Sequence, residues 1–524
     1  MKTKFTFLAV TCFLLGFNKA TIAQLLVKEI RAGASSSGPA YITNSSGSIY
    51  LVANDGTNGN ELWKSDGTTA GTMMVKNVSP SGHSFFNDFE SSNGNLFMSL
   101  GTAYGQNELW MSDGTTAGTI LVKDINPGTA ASNPSYMTDL NGILFFQATD
   151  GVNGKELWKS DGTLAGTVMV KDINAGSGSS SPEKLINING TLFFQVGYDL
   201  WKSDGTTAGT ILILANAVSA ELTDVNGTLF FQGADGELWK SDGTTAGTVL
   251  VKDIYPGSSS SPIYLTNVNG TLFFLALSSS NGMELWKSDG TNSGTTMVKD
   301  INPGAANSVP SYLTAMNNLL YFSANNGVNG AELWVSDGTS AGTTMVKDIN
   351  IGSANSLPSS PPASYSFKAI NGTLYFQATN GTNGNELWKS DGTNAGTVML
   401  GDINPGAGDS KPLWFAELNG MLFFSAEDIA GNAELWKYDN VTGLNHSERE
   451  EYISLYPNPS QGKFFVSVEN KYSKISVEVY NSNGSLILKK ESEGDIDLTN
   501  SAKGIYFVRI TAENENQTKK IIIE

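Results

Sequence analysis

The chain has 524 residues, with 50 Asp and Glu against 32 Lys and Arg, a net charge of −18, two histidines and one cysteine. So acidic a chain repels nucleic acid and anionic lipid. Cys12, His83 and His446 are too few and too scattered for a disulfide, a His-rich zinc site or a nucleophile–base–acid triad, which leaves carboxylate chemistry, oxygen-ligated metal, or binding without catalysis.

The N-terminus reads as an export signal over residues 1–23. Lys2 and Lys4 precede an apolar run from Phe5 to Phe17, and Thr21-Ile22-Ala23 forms a small-residue cleavage site between Ala23 and Gln24. That run is too short to span a bilayer and no later segment approaches its length, so no transmembrane segment is expected. Cys12 leaves with the signal.

From Gln24 to residue 440 the chain repeats. Glu-Leu-Trp, once Asp-Leu-Trp, places Trp63, Trp110, Trp158, Trp201, Trp239, Trp286, Trp334, Trp388 and Trp436 at intervals of about 47 residues, a spacing suited to four-stranded propeller blades. Residues 134–174 form one unit. Its expected strands are a (Ser135 to Leu140), b (Ile143 to Ala148), c (Glu156 to Ser160) and d (Thr167 to Ile173), joined as an antiparallel meander. Asn141-Gly142 is a two-residue hairpin signal, because both positions accept positive φ. Strand b carries Leu144, Phe145 and Phe146 in succession. Side chains alternate along a strand, so such a run must be buried on both faces, which favours sheets stacked around an axis.

Leu25 to Ile30 matches strand d but lacks the strands before it, and the last unit lacks d. The N-terminal strand is therefore expected to complete the last blade and close a ring of about nine. After a polar linker over residues 441–452, residues 453–524 alternate in short runs that read as a small Ig-like β-sandwich.

The repeated unit, quoted as Glu61-Leu62-Trp63-Lys64-Ser65-Asp66-Gly67-Thr68, resembles the ELWxxDGT repeat family of secreted bacterial proteins. That family is akin to kelch and quinoprotein propellers; it implies a fold and no activity. The tail resembles the type A sorting domain of the type IX secretion system, through Tyr456-Pro457-Asn458-Pro459, Val479-Tyr480-Asn481 with Gly484, Gly504-Ile505-Tyr506 and the closing lysines. This second resemblance implies export through the type IX machinery, and a product in a Gram-negative bacterium that is secreted or held at the outer-membrane surface.

The acids before the repeated glycines, Asp66 to Asp439, suit Asx turns, and the repeated Trp residues suit packing anchors. The few acids outside the repeat include Glu183, Glu221, Asp409 and Glu417, the candidates for carboxylate chemistry. In the b–c loops, Asp55 and Asn58, and Asp150 and Asn153, are candidate calcium ligands; no other cofactor is expected. Repeat-breaking aromatics, Tyr104, Tyr198, Tyr255 and Trp414, with the insertion Leu357 to Tyr365, are the candidate ligand contacts. The sequence reading is therefore a binding or adhesion protein without catalysis, its ligand a polysaccharide or another surface component. The alternatives are a polysaccharide-active enzyme using carboxylates, and a structural matrix protein.

Overall fold

The computed structural model describes residues 24–439, except 34, 81 and 358–366, and in the tail 453–456, 460–468, 475–481, 485–492, 494–512 and 515–523. The signal (Ala23 included), the linker, and Pro457, Asn458, Pro459 and Gly484 of the sorting motif lie outside the described residues. All named elements are strands. By its contacts the chain divides into two units, residues 1–441 and 442–524.

The first unit contains nine four-stranded antiparallel sheets in chain order. In sheet 3 the strands are Ser135–Leu140, Ile143–Thr149, Lys155–Ser160 and Val168–Lys171. Strands a to c fall within a residue of expectation. Strand d is shorter at both ends: Thr167 belongs to the loop that begins at Asp161, and the Ile173 amide turns to the Glu156 carboxylate. Sheet 9 takes Leu413–Leu418, Met421–Glu427 and Ala433–Asp439, and its fourth strand is β1, Gln24–Lys28, antiparallel to the third. Asn141 (φ 55°) and Gly142 (φ 84°) make the expected hairpin turn.

Each sheet buries strand b on both faces. Phe146 lies in one core with Trp158, while Phe145 lies in the next with Leu192 and Phe194 of sheet 4. Burying a Phe or Leu contributes about 1.5–3 kcal/mol relative to exposure, so the stack of sheets is the source of stability in this chain.

One joint recurs between consecutive sheets. From sheet 3 to sheet 4, Lys159 Nζ donates to the Gly205 carbonyl (2.8 Å), Lys171 Nζ to the Thr210 carbonyl (2.7 Å), and Thr207 Oγ1 returns a bond to the Val170 carbonyl (2.8 Å). Sheet 9 meets sheet 1 in the same way: Lys437 to Gly67 (2.9 Å), Lys28 to Thr72 (2.7 Å), and Thr69 Oγ1 to Val27 (2.8 Å).

The second unit has a three-stranded sheet (Ile453–Tyr456, Lys463–Val468, Gly494–Asp497) and a four-stranded sheet (Ile475–Asn481, Leu486–Lys490, Gly504–Ala512, Glu515–Ile523). Phe464, Val466 and Ile496 from the first share a core with Val477, Val479, Tyr506, Val508 and Ile510 from the second. The sorting-motif Tyr506 is buried and donates its hydroxyl to the Ala502 carbonyl (2.7 Å), while Gly504 holds a φ of 145°.

Candidate functional site

The repeated polar residues are structural. Asp161 Oδ1 accepts from Thr163 N (2.9 Å) and Thr163 Oγ1 (2.7 Å), and Thr163 Oγ1 accepts from Gly166 N (2.9 Å). The hydroxyl and amide of Thr163 hold the Asp161 carboxyl below its ordinary value. The repeated glutamates are buried carboxylates without a cation. Glu156 accepts from Ile173 N (2.7 Å), Ser180 N (2.8 Å) and Ser180 Oγ (2.6 Å), which pins the d–a loop to strand c. Sheet 4 carries Asp199 at this position, and its shorter side chain binds only Asn216 N (2.9 Å).

The b–c loops make their turns with the protein's own donors. Asp55 Oδ1 accepts from Thr57 N (2.8 Å) and Asn58 N (2.7 Å), and Oδ2 from Asn58 Nδ2 (2.7 Å). Asp150 repeats this with Val152 and Asn153. Burial raises the Asp55 carboxyl, but the bonds from Asn58 and Thr57 outweigh it and hold it low. Among the described residues no three His, Cys, Asp or Glu converge as metal ligands.

The four candidate aromatics do not sit together in one kind of place. Tyr104 is 88% exposed at the tip of the sheet 2 b–c loop, in a T-shaped pair with Phe85 (centroids 5.7 Å). Tyr198 is 61% exposed at the sheet 4 b–c turn, its carbonyl accepting from Ala217 N (2.8 Å) and Val218 N (2.9 Å). Tyr255 is half-buried in the sheet 5 d–a loop. Trp414 departs from expectation: it lies on strand a of sheet 9 at φ 58° and packs on the Tyr41 ring at 5.2 Å. Of the 357–365 insertion, Leu357 is a core residue and the rest is outside the described residues.

Trp414 marks a position the sequence reading missed. Every strand a whose start is described breaks register among its first five residues. Seven residues at these breaks sit at φ between 53° and 58°: Tyr41, Tyr136, Lys184, Glu221, Tyr264, Tyr312 and Trp414. The left-handed region costs an L-residue on the order of 1–3 kcal/mol, and this bulge redirects the side chain onto the next sheet. Tyr41 Oη donates to the Phe86 carbonyl (3.3 Å), Tyr136 Oη to Glu183 Oε2 (3.1 Å) and Lys184 Nζ to the Ser219 carbonyl (3.3 Å). Tyr312 stacks on Phe367 at 5.0 Å. The legible signal was the recurring Pro-x-Tyr, Pro-x-Lys or Pro-x-Trp: Pro39, Pro134, Pro182, Pro262, Pro310 and Pro412 each lie two residues before one of them.

A cleft of roughly 800 Å3 opens along strands a of sheets 2, 3 and 4, where Asp88, Tyr136, Glu183 and Lys184 line it. Asp88 Oδ1 accepts from Phe89 N (3.0 Å) and Oδ2 from Met137 N across the sheet boundary (3.1 Å). Burial raises its carboxyl. Glu90, half-buried near Asp88 and Asp139, is pushed up to about 7 by desolvation first and those two charges second. Of the other non-repeat acids, Glu221 is raised by burial, Asp409 accepts from Asn385 N (2.7 Å) and Glu417 from Gly420 N (2.7 Å). The last two shape turns.

Residues 454–524 match the family described as secretion system C-terminal sorting domain. The chain is thus an all-β protein of repeated four-stranded sheets carrying a type IX sorting signal, exported to the outer-membrane surface or beyond it. No curated protein matches it by sequence. Among solved structures it is similar to the computationally designed Ika8 protein (TM-score 0.41, 12% identity, 68% of this chain and 98% of that one). It is also similar to a puromycin hydrolase (0.35, 12%, 72% and 58%) and to the extracellular domain of a putative one-component system from B. thetaiotaomicron (0.33, 11%, 91% and 73%). No helix of the described residues is long and apolar enough to cross a membrane.

Proposed function

We propose that the nine sheets close into a β-propeller of the ELWxxDGT repeat type, followed by an Ig-like sorting domain, and that the propeller is an extracellular binding or adhesion module. Its ligand is a polysaccharide or a comparable surface component. The observation that carries this reading is a coincidence of place. Sheets 2 and 4 bear the most exposed tyrosines of their b–c loops, Tyr104 and Tyr198, and sheet 3 between them bears the exposed Val152. The same three sheets form the polar cleft, which Asp88 of sheet 2 and Lys184 of sheet 4 line on either side of Tyr136 of sheet 3. Exposed rings on the loops of sheets that also form a polar groove suit a chain of sugar rings, whose faces are apolar and whose edges carry hydroxyls.

A glycan array with the mature chain, run with calcium and with chelator, tests this. Saturable binding that falls at least tenfold in Tyr104→Ala and Tyr198→Ala but survives Tyr255→Ala supports the cleft. Chelator sensitivity would bring Asp55, Asn58, Asp150 and Asn153 back as calcium ligands. Binding equally lost in all three variants, or absent, sinks the reading in favour of a structural matrix role.

A hydrolytic reading stands second, because Asp88 and Glu183 are non-repeat acids in one cleft. It ranks lower because both Asp88 oxygens are engaged by backbone amides. Release of reducing ends from a bound oligosaccharide, abolished by Glu183→Gln, would reverse the order.

A further inference from the structure

Six repeated tryptophans, Trp63, Trp158, Trp201, Trp286, Trp334 and Trp388, have a buried indole Nε1–H that meets no acceptor in the protein. Five buried side-chain oxygens meet no donor at a fixed distance along the chain from five of these: Oδ1 of Asn77, Asp172, Asp300, Asp348 and Asp402. Each lies fourteen positions after its own sheet's Trp. Unmatched donor and unmatched acceptor thus occur as a pair in sheets 1, 3, 6, 7 and 8.

In sheets 1, 6, 7 and 8 the residue carrying the unmatched oxygen is tied to the b–c loop of its own sheet, in sheet 1 by Asn77 Nδ2 donating to Asn58 Oδ1 (2.7 Å). The indoles of Trp239 and Trp436, which do have partners, donate to Asp235 Oδ1 (3.0 Å) and the Ala426 carbonyl (3.1 Å), at or beside that loop. The other oxygen of Asp300, Asp348 and Asp402 accepts from Asn281 (2.9 Å), Asn329 (2.8 Å) and Asn383 (2.9 Å), all b–c loop residues. In sheet 4 the position fourteen after Trp201 is Ala215, which has no side-chain oxygen, and Trp201 is unmatched alone.

Leaving a buried donor or acceptor unmade carries its full desolvation penalty, and five such pairs would not persist uncompensated. The occupant that satisfies both must accept from an N–H and donate to a carboxylate or amide oxygen. A cation would face the indole N–H and an anion the carboxylate, so a small neutral molecule with both capacities is required. We propose that sheets 1, 3, 6, 7 and 8 each hold one internal water, bridging the indole N–H to the Asp or Asn Oδ1 fourteen residues later. These waters are repeated structural ligands that fasten the b–c loops to the end of strand d, independently of what the loops bind.

The test is solvent-to-indole magnetisation transfer by NMR on the full mature chain, labelled with 15N at tryptophan. The proposal expects cross-relaxation with a long-lived water at the indoles of Trp63, Trp158, Trp286, Trp334 and Trp388. It expects none at Trp239 and Trp436, whose partners are protein atoms. All seven indoles behaving alike, or the five showing no water, would overturn it. Asp348→Leu should abolish the signal at Trp334 and leave Trp286 unchanged; retention at Trp334 would remove Asp348 as the second partner. If Asp348→Leu does not fold, the comparison among wild-type indoles still decides.

Discussion

Val309 sits at φ 46° directly before Pro310, with a β-branched side chain that is 42% exposed. The equivalent residues before proline in other sheets are Asn133, Ser181, Ser261 and Lys411, also near 50°. Asn tolerates this region far better than Val. Val309→Asn should therefore stabilise the protein by about 0.5–1 kcal/mol, seen as a raised denaturation midpoint; a lowered midpoint would mean that Val309 packing outweighs its strain. The repeated glutamates give a second prediction. Burial pushes Glu284 and Glu332 up to about 7, against the hydrogen bonds from Ser308 and Ser356. A carboxyl raised in the folded state binds more protons there than in the unfolded chain, so its contribution is greatest below about 4.5 and is lost as pH rises toward 7. The Asp161-type carboxyls are lowered, so their contribution is fully present across this range and is lost only as pH falls below about 4. Thermal stability should thus fall between pH 5 and 7.5, and Glu284→Gln with Glu332→Gln should flatten that slope.

At the scale of elements, the c–d hairpin is the part that joins sheets. A Cβ on Gly205 would lie 3.0 Å from Phe145 Cζ of the preceding sheet, at a φ of 87°. Gly205→Ala should cost about 1–3 kcal/mol, since both the ring and the backbone resist it; unchanged denaturant stability would contradict the joint. Hairpins and inner strands were readable from sequence because Asn-Gly turns and consecutive Leu-Phe-Phe state their conformation locally. The bulge in strand a left the recurring proline two residues ahead as its one trace, and its conformation was not readable because a non-glycine residue at positive φ opposes its own propensity. In the tail, the short strand Gly494–Asp497 has one buried apolar residue, Ile496, too little pattern to announce a strand. As for the site, Tyr104 and Tyr198 stood out as breaks in the repeat, but the cleft lined by Asp88, Tyr136, Glu183 and Lys184 joins three sheets and no local pattern encodes it.

For the whole molecule, the unpaired fourth strand at the N-terminus was the sequence signal for closure, and β1 does complete sheet 9. The register places Leu25 opposite Lys437, and Cys12 is the only cysteine in the chain. Leu25→Cys with Lys437→Cys in the exported protein should form an intramolecular disulfide under mild oxidation, detected by peptide mass spectrometry. The most direct test of the closed, nine-bladed account is electron microscopy of the mature chain, averaged in the view down the propeller axis. The account predicts a continuous ring of nine radial densities, opened or shortened when residues 24–30 are deleted. An open arc or superhelical stack in the intact chain would contradict it.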